Sequence, residues 1–486
     1  RTADGRFHGI DATTQAPDTY DPDTAPQADY GYPTVGVPGA VAGLAKLLDE
    51  HGTLPLETVM APAIRLARDG FALLPGEAAR QGSAAEEIAE FEGSRASFLK
   101  SDGSTYAAGD RFAQEDLART LEQLSAQGPD VFYRGAIAER MAADVEAHGG
   151  ALTRASLAAY RAEDARVVRG DYRGYELVGT FTPASGATTI EILHILEHFS
   201  LADADGATWA AVVAQAVALG FEDRRELDGD PRAAESMVSK ERAAQLAARI
   251  RLPAAVPAPP AEAWVPVDSG LAGLAAGRLA FAGAATAGVV RLPWTGPAAP
   301  DDDGHTTHLS TADASGMAVA LTQTIGPSMG SKVATPGLGF LYAATLGGYL
   351  GRVEPGERAS SSISPLIVLR DGEPVLVLGA AGGARIVSAV VQAVVRVIDG
   401  GMTLEEALAA PRVHASGETV DLETTPGIGW RAEVAEAVRG MGFEVRETAR
   451  EGAFGRIHGI ARRDGVWIGA ADPDWEGAAI APRVPQ

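Results

Sequence analysis

Cysteine is absent from all 486 residues, which excludes disulfides, thiolate metal sites and a cysteine nucleophile, and leaves the redox compartment open. Basic charge is the scarcer sign. Forty-one Lys and Arg stand against 64 Asp and Glu, a net charge of −23 with no basic cluster, which argues against a nucleic-acid footprint and disfavours anionic membranes. No uninterrupted apolar run approaches the ~20 residues of a membrane span. Neither GxGxxG nor the Lys-Ser/Thr of a phosphate loop occurs at a strand-to-helix junction, so a dinucleotide fold has no fingerprint here. What remains is an ordinary globular composition, 46% hydrophobic and 22% charged, at a length that suggests two or three domains. The chain opens at Arg1 with neither methionine nor a charged-then-apolar leader. The expectation is a removed leader or a fragment, compatible with a secreted or a cytoplasmic protein.

Residues 1–35 are polar and read as surface loops. From Gly39, Val41, Leu44, Leu47 and Leu48 recur at helical spacing until His51-Gly52 stops the run. Further helices are expected around 59–68, 83–92, 115–126, 134–148, 188–199, 207–219 and 239–250, with strands over 166–181. Pro253–Pro260 and 282–303 are Ala/Pro/Gly-rich connectors, the second ending in Asp301-Asp302-Asp303. Hairpins follow. Asp313–Gly316 turns between strands 307–312 and 317–325, Arg370-Asp371-Gly372 between 363–369 and 374–379, and Arg463-Asp464-Gly465 inside 456–471. Helices are expected over 385–399, 403–410 and 431–440, and no fixed-period repeat interrupts the pattern. Helices first and strands afterwards fit a layered α+β fold better than a βαβ series.

Several residues carry chemistry. Thr306 opens a strand at the end of the acidic loop, in Gly304-His305-Thr306-Thr307-His308-Leu309-Ser310. If the His305–Thr306 bond were cut, Thr306 would hold a hydroxyl nucleophile and an α-amine of pKa ~7.7–8.0, a nucleophile with its own base. The plainer reading is a β-former at a strand start. Gly382 and Gly383 end a strand and open a helix, where backbone amides can receive an oxyanion; the plainer reading is a tight turn. His305 and His308 share HxxH spacing, but with no third ligand pattern they read as polar strand residues and no metal is expected. Gly326-Pro327-Ser328-Met329-Gly330 matches a nucleophile elbow, yet no helical period follows it, so that reading is rejected. The run Ser360-Ser361-Ser362-Ile363-Ser364 is a polar strand entry whose hydroxyls could orient an acyl group. Lys332 is a candidate partner for a substrate carboxylate or else an exposed surface lysine.

Taken together the sequence resembles the γ-glutamyltransferase family of N-terminal-nucleophile hydrolases, from about Ile10 to the C-terminus. The likeness is carried by Val37–Gly43, His51–Leu56, Gly170–Tyr175, Pro183–Gly186, Thr306–Ser310, Ser361–Pro365, Gly382–Ile386, Ala410–His414 and Ala471–Pro473. The resemblance implies a four-layer αββα sandwich and a precursor that cuts itself before Thr306. A large portion, 1–305, and a small portion, 306–486, would then be interleaved in one structural domain as a heterodimer of the two products. It further implies Thr306 as nucleophile, Thr324 as partner of its amine, the Gly382 and Gly383 amides as oxyanion donors, Ser361 and Ser362 at the substrate, and no cofactor. The family's first strand and helix have no counterpart, so the large portion is expected to be truncated at its start.

The γ-glutamyl head-group contacts are missing. Thr13 stands where the family has an arginine, Gly326 where it has an asparagine, and Ala343–Tyr349 contains neither the glutamine nor the aspartate that binds the α-amine. A small-molecule acyl substrate other than γ-glutamyl is therefore expected. The alternatives are a γ-glutamyl transferase or hydrolase with a rebuilt head-group site, a carbon–carbon bond hydrolase of a secondary-metabolite pathway, and an unprocessed scaffold or binding protein.

Overall fold

The computed structural model describes residues 1–253 and 306–481, apart from 229, 231, 349, 451–452 and 474–475. His305 and the acidic loop before it lie outside the described residues. The main helices before that gap are α1 (Ala40–His51), α2 (Leu56–Asp69), α3 (Glu115–Gln127), α4 (Ala136–Ala147), α5 (Gly186–Leu196), α6 (Gly206–Glu226) and α7 (Lys240–Ala247). Strands β1 (Val167–Tyr172) and β2 (Tyr175–Thr180) stand between α4 and α5. After it come β3 (Thr306–Ala312), β4 (Ala318–Thr324), β5 (Leu366–Arg370), β6 (Glu373–Ala381) and α8 (Arg385–Ile398). The chain continues through β7 (Val413–Ser416), β8 (Thr419–Glu423), α9 (Ala432–Gly440), β9 (Glu444–Thr448), β10 (Arg456–Arg463) and β11 (Val466–Ala471).

Six strands form one antiparallel sheet in the order β11-β10-β6-β5-β2-β1. Two of these strands precede the gap and four follow it, and β2 pairs directly with β5. The hairpin turns match their residues: Asp371 and Gly372 sit at φ 54° and 80°, the mirror-image turn whose twist suits flanking strands. At the β3–β4 turn the Asp313 carboxylate accepts the amides of Ser315 and Met317, at 2.9 and 3.1 Å.

Side chains alternate across the sheet with period two. Leu177, Leu366, Val368, Leu376 and Leu378 face the helical layer of α5, α6 and α8 in the largest apolar core. Val178, Ile367, Leu369 and Val377 point the other way, into a cluster with Ala318 and Ala320 of the β3–β4 hairpin. Every residue of α5 is buried, as expected for a helix packed on all sides.

Beyond the hairpin, α1 and α3 supply Leu44, Leu47, Leu121 and Leu124 to the wall of a mainly apolar cavity of about 510 Å³. The opposite wall is Met317–Ile325. The layer order is therefore helices, six-stranded sheet, β3–β4 hairpin, helices: the expected αββα arrangement. Among the described residues the second sheet holds only the two hairpin strands, with Arg1 and Ala318 exchanging backbone hydrogen bonds at its edge.

One local expectation fails and one element was not anticipated. The helix expected over 83–92 is instead three short ones, Pro75–Ser83, Ala85–Glu90 and Glu92–Phe98, because the chain leaves helical dihedrals at Ala84 and Phe91. The three-stranded sheet β7-β8-β9 went unread, since its strands are only four or five residues long and one partner lies beyond α9.

Candidate active site

Thr306 begins β3 and pairs in register with Thr324, the last residue of β4. An antiparallel pair sets directly opposed side chains on one face of the ribbon. The Thr306 hydroxyl accordingly donates to Thr324 Oγ1 at 2.9 Å, and that oxygen also accepts the Gly326 amide at 3.1 Å. Two threonines eighteen residues apart in sequence are thus brought together by the hairpin register.

The hairpin lies against β6. His308, two residues after Thr306, stands so close to Gly379 that a Cβ there would come within 2.3 Å of its Nδ1. The imidazole is buried, and desolvation, helped by nearby His458, pushes its pKa down to about 3, so it is neutral. Nδ1 meets Thr322 Oγ1 at 2.7 Å and Nε2 meets Ser310 Oγ at 2.9 Å. Both ring nitrogens are occupied by hydroxyls, which makes His308 a packing and hydrogen-bonding residue between facing sheets. Among the described residues no group of three or more His, Asp or Glu is placed to hold a metal ion.

Strand β6 ends at Ala381, and Gly382-Gly383-Ala384 turns the chain into α8. Gly382 has φ +128°, and an added Cβ would sit 2.7 Å from the Gly455 Cα, so only glycine fits. Gly383 has φ +55° with open space around its Cβ position. Their carbonyls accept the amides of Arg385 and Ile386, at 3.0 and 3.2 Å, which fixes the turn.

Gly455 itself is held from behind. The Arg412 guanidinium donates to its carbonyl, to Leu408 O at 2.8 Å and to the Asp472 carboxylate, in a fully buried ion pair. Asp472 also accepts the Ile457 amide at 3.2 Å. Arg412 and Asp472 lie in two of the sequence motifs quoted above, but sixty residues separate them and nothing in their spacing announces the pair.

Ser361 lies in the wall of the 510 Å³ cavity together with Thr324, and its hydroxyl accepts the Ile363 amide at 3.3 Å. Ser362 is its half-buried neighbour. Lys332 is neither at the surface nor beside Thr306 in any described contact. It is buried, with its ammonium 5.5 Å from the centre of the Tyr30 ring and its carbonyl accepting Ser94 Oγ at 2.6 Å. No helix follows Gly326–Gly330; Met329, Gly330 and Lys332 all take positive φ, so the serine elbow is absent.

At the head-group positions, Thr13 gives its carbonyl to Tyr160 Oη at 2.8 Å and brings no cation. The 343–348 stretch is spent on backbone contacts: the Thr345 and Leu346 amides both donate to Thr34 O, at 2.8 and 3.1 Å.

The family model described as gamma-glutamyltranspeptidase matches residues 1–481. The glutathione hydrolase proenzyme of Escherichia coli (strain K12) is 33% identical over 466 residues, 90% of this chain and 73% of that protein. The acylase ACY 1 proenzyme of Pseudomonas sp. (strain V22) is 32% identical over 506 residues, 99% of this chain and 84% of that protein. Among solved structures, cephalosporin acylase from Bacillus halodurans superposes with a TM-score of 0.80 at 25% identity, over 98% of this chain and 86% of its own. The chain belongs to the γ-glutamyltranspeptidase family and is an enzyme of the N-terminal-nucleophile hydrolase kind.

Proposed function

We propose that this protein is a self-processing N-terminal-threonine hydrolase or acyltransferase acting on an acyl substrate other than γ-glutamyl. The observation that carries the reading is the 2.9 Å hydrogen bond between Thr306 and Thr324 at the first residue of a core strand. Attack of the Thr306 hydroxyl on the His305 carbonyl breaks the peptide C–N bond, frees the α-amine and leaves an ester. Water then hydrolyses the ester to the His305 carboxylate and the free Thr306 hydroxyl, and portions 1–305 and 306–486 remain as a heterodimer. In turnover the amine takes the hydroxyl proton as the oxygen attacks the substrate carbonyl. The Gly382 and Gly383 amides receive the tetrahedral oxyanion, and collapse expels the leaving group with the proton. The acyl-threonine is released to water or an amine. Several relatives are themselves named proenzymes, which supports the processing step.

The substrate class follows from what the recognition loops lack. An ionised glutamyl head buried without charged partners would cost several kcal/mol. Thr13, Gly326 and the 343–348 stretch supply no such partner. The name acylase on relatives that match nearly the whole chain agrees with an acyl group of another kind. The second reading, a γ-glutamyl hydrolase with a rebuilt site, is favoured by the Escherichia coli relative's name.

N-terminal sequencing and denaturing electrophoresis test the processing: two bands, the smaller starting at Thr306, are expected, and Thr306→Ala should leave one band and no turnover. N-acetyl-, N-glutaryl- and γ-glutamyl-p-nitroanilide then sort the substrate class. Robust γ-glutamyl turnover above the other two would overturn the specificity reading, and one band from active protein would overturn the nucleophile.

A further inference from the structure

Arg224, near the C-terminal end of α6, is a half-buried cation that makes no ion pair within 4 Å of any described carboxylate, although the Asp228 charge favours its ionised form. Its guanidinium donates only to neutral oxygens: Ser185 Oγ, Ser360 Oγ at 2.8 Å, and the carbonyls of Pro183 and Ser361, both at 3.3 Å. Burial pushes its pKa down, the sign of a charge held away from water. A guanidinium placed this way is unfavourable unless its planar fork of donors fixes a geometry.

The four acceptors lie on two segments that no strand pairing joins. One runs from Pro183 to Ser185, between β2 and α5. The other is Ser360-Ser361, leading into β5. Around the guanidinium the same segments are cross-tied. The Ser361 amide donates to Pro183 O at 2.8 Å, the Ser185 amide to Ile363 O at 2.8 Å, and the Ser185 hydroxyl to Ser361 O at 2.9 Å. Ser361 and Pro183 are both in the cavity wall that contains Thr324.

We infer that Arg224 is a positioning residue which clamps the 183–185 and 360–361 segments together, and so sets Ser361 and Ser362 for the acyl substrate. The inference rests on the acyl-transfer function proposed above and on the place at the substrate that the family resemblance implies for Ser361 and Ser362. Arg224 itself is not part of that cavity wall. A lysine would keep the charge but could reach only part of the acceptor set, because its ammonium lacks the planar fork.

The test compares wild type, Arg224→Lys and Arg224→Met, all as the full chain. In Arg224→Met the amides of 361–363 should exchange with deuterium at least about tenfold faster, given the loss of charge-assisted hydrogen bonds. Exchange in α8 and cleavage before Thr306 should be unchanged. With whichever p-nitroanilide the wild type turns over, KM should rise roughly tenfold with kcat within about threefold, since uniform substrate binding is lost. Arg224→Lys should recover part of both effects. Unchanged exchange at 361–363 in a folded Arg224→Met protein overturns the clamp, whatever the enzyme acts on. Wild-type protein that turns over no acyl anilide counts against the proposed function but leaves the exchange test standing. Ser360→Ala, which removes an acceptor of Arg224, keeps the cation and leaves the Ser185–Ser361 tie in place, gives the same exchange readout if the Arg224 variants do not accumulate. Faster exchange at Ile363 supports the clamp there, and none overturns it.

Discussion

The strand-to-helix turn offers a sharp comparison between two adjacent glycines. In Gly382→Ala the new Cβ meets the Gly455 Cα at 2.7 Å and its amide nitrogen at 3.3 Å, both backbone atoms that no rotamer change can move. The residue must also hold φ +128°, which L side chains rarely adopt. The backbone strain is worth about 1–3 kcal/mol and the overpacking another 1–3 kcal/mol, a large share of a typical stability of ~5–15 kcal/mol. In Gly383→Ala the Cβ meets nothing within 4 Å and φ is +55°, so only the left-handed penalty of about 1–2 kcal/mol applies. Denaturant midpoints should therefore fall strongly for the first variant and slightly for the second. If Gly382→Ala folds by moving the turn off Gly455, the amides leave the oxyanion position, and turnover should drop about 100- to 1000-fold. Gly383→Ala should stay within a few-fold of wild type. Equal stability and activity in the two variants, or a worse outcome at Gly383, would refute the assignment of the turn.

Thr324→Val removes the oxygen that accepts from Thr306 and from the Gly326 amide; the loss of neutral hydrogen bonds predicts acyl-anilide turnover lower by roughly three- to tenfold. Abolition as complete as in Thr306→Ala would contradict an orienting role. Glu191 is fully buried on α5, and desolvation, with Asp223 adding to it, pushes its carboxyl up to about 10 from an ordinary 4.5. The folded chain keeps that proton while the unfolded chain has released it. The group's contribution is complete below about 4.5 and is lost as pH climbs towards 10, with a slope of at most ~1.4 kcal/mol per pH unit. Urea midpoints from pH 5 to 9 should decline less steeply in Glu191→Gln than in wild type, and parallel curves would reject the protonated carboxyl. For Lys332→Met, a substrate-carboxylate role predicts a raised KM for the N-glutaryl anilide and none for the N-acetyl one, whereas equal effects would point to its packing against Tyr30.

Much of the architecture was legible because periodicity and turn chemistry agree. The Asp-Gly turn of β5–β6, the helical stripe of α1 and the long apolar helix α8 all stand where the pattern puts them, within a few residues. Thr306 and Thr324 could be named from the resemblance, and the hairpin register explains why they meet. What stayed hidden depends on long-range packing. Arg224 reaches Ser360 across 136 residues, and Arg412 reaches Asp472 across sixty; Arg224 carries no local pattern that separates it from an ordinary surface arginine, and the motif around Arg412 does not say which carboxylate it meets. The exposed-lysine reading of Lys332 fails in the same way, since its burial against Tyr30 arises from a fold contact between segments about three hundred residues apart.

The groups proposed for the reaction and those expected to recognise a head group sit on different kinds of structure. Thr306, Thr324 and Gly382 occupy strand ends and a tight turn in the middle of the sandwich. There His308 packs on Gly379, and Gly455 backs Gly382 under the Arg412–Asp472 pair. Changing any of these disturbs the core itself, so the chemistry and the fold are constrained together. Thr13, Gly326 and residues 343–348 lie on irregular segments, the last tied down by the Thr345 and Leu346 amides on Thr34 O and by Leu346 packing with Ala16, Tyr20 and Val353. Of these, half-buried Thr13 is the position replaceable at little cost to stability, whereas Gly326 holds φ +89° and Ala344, Thr345 and Leu346 are buried. The clamp at Arg224 lies between the two regimes, tying a recognition loop to a core helix.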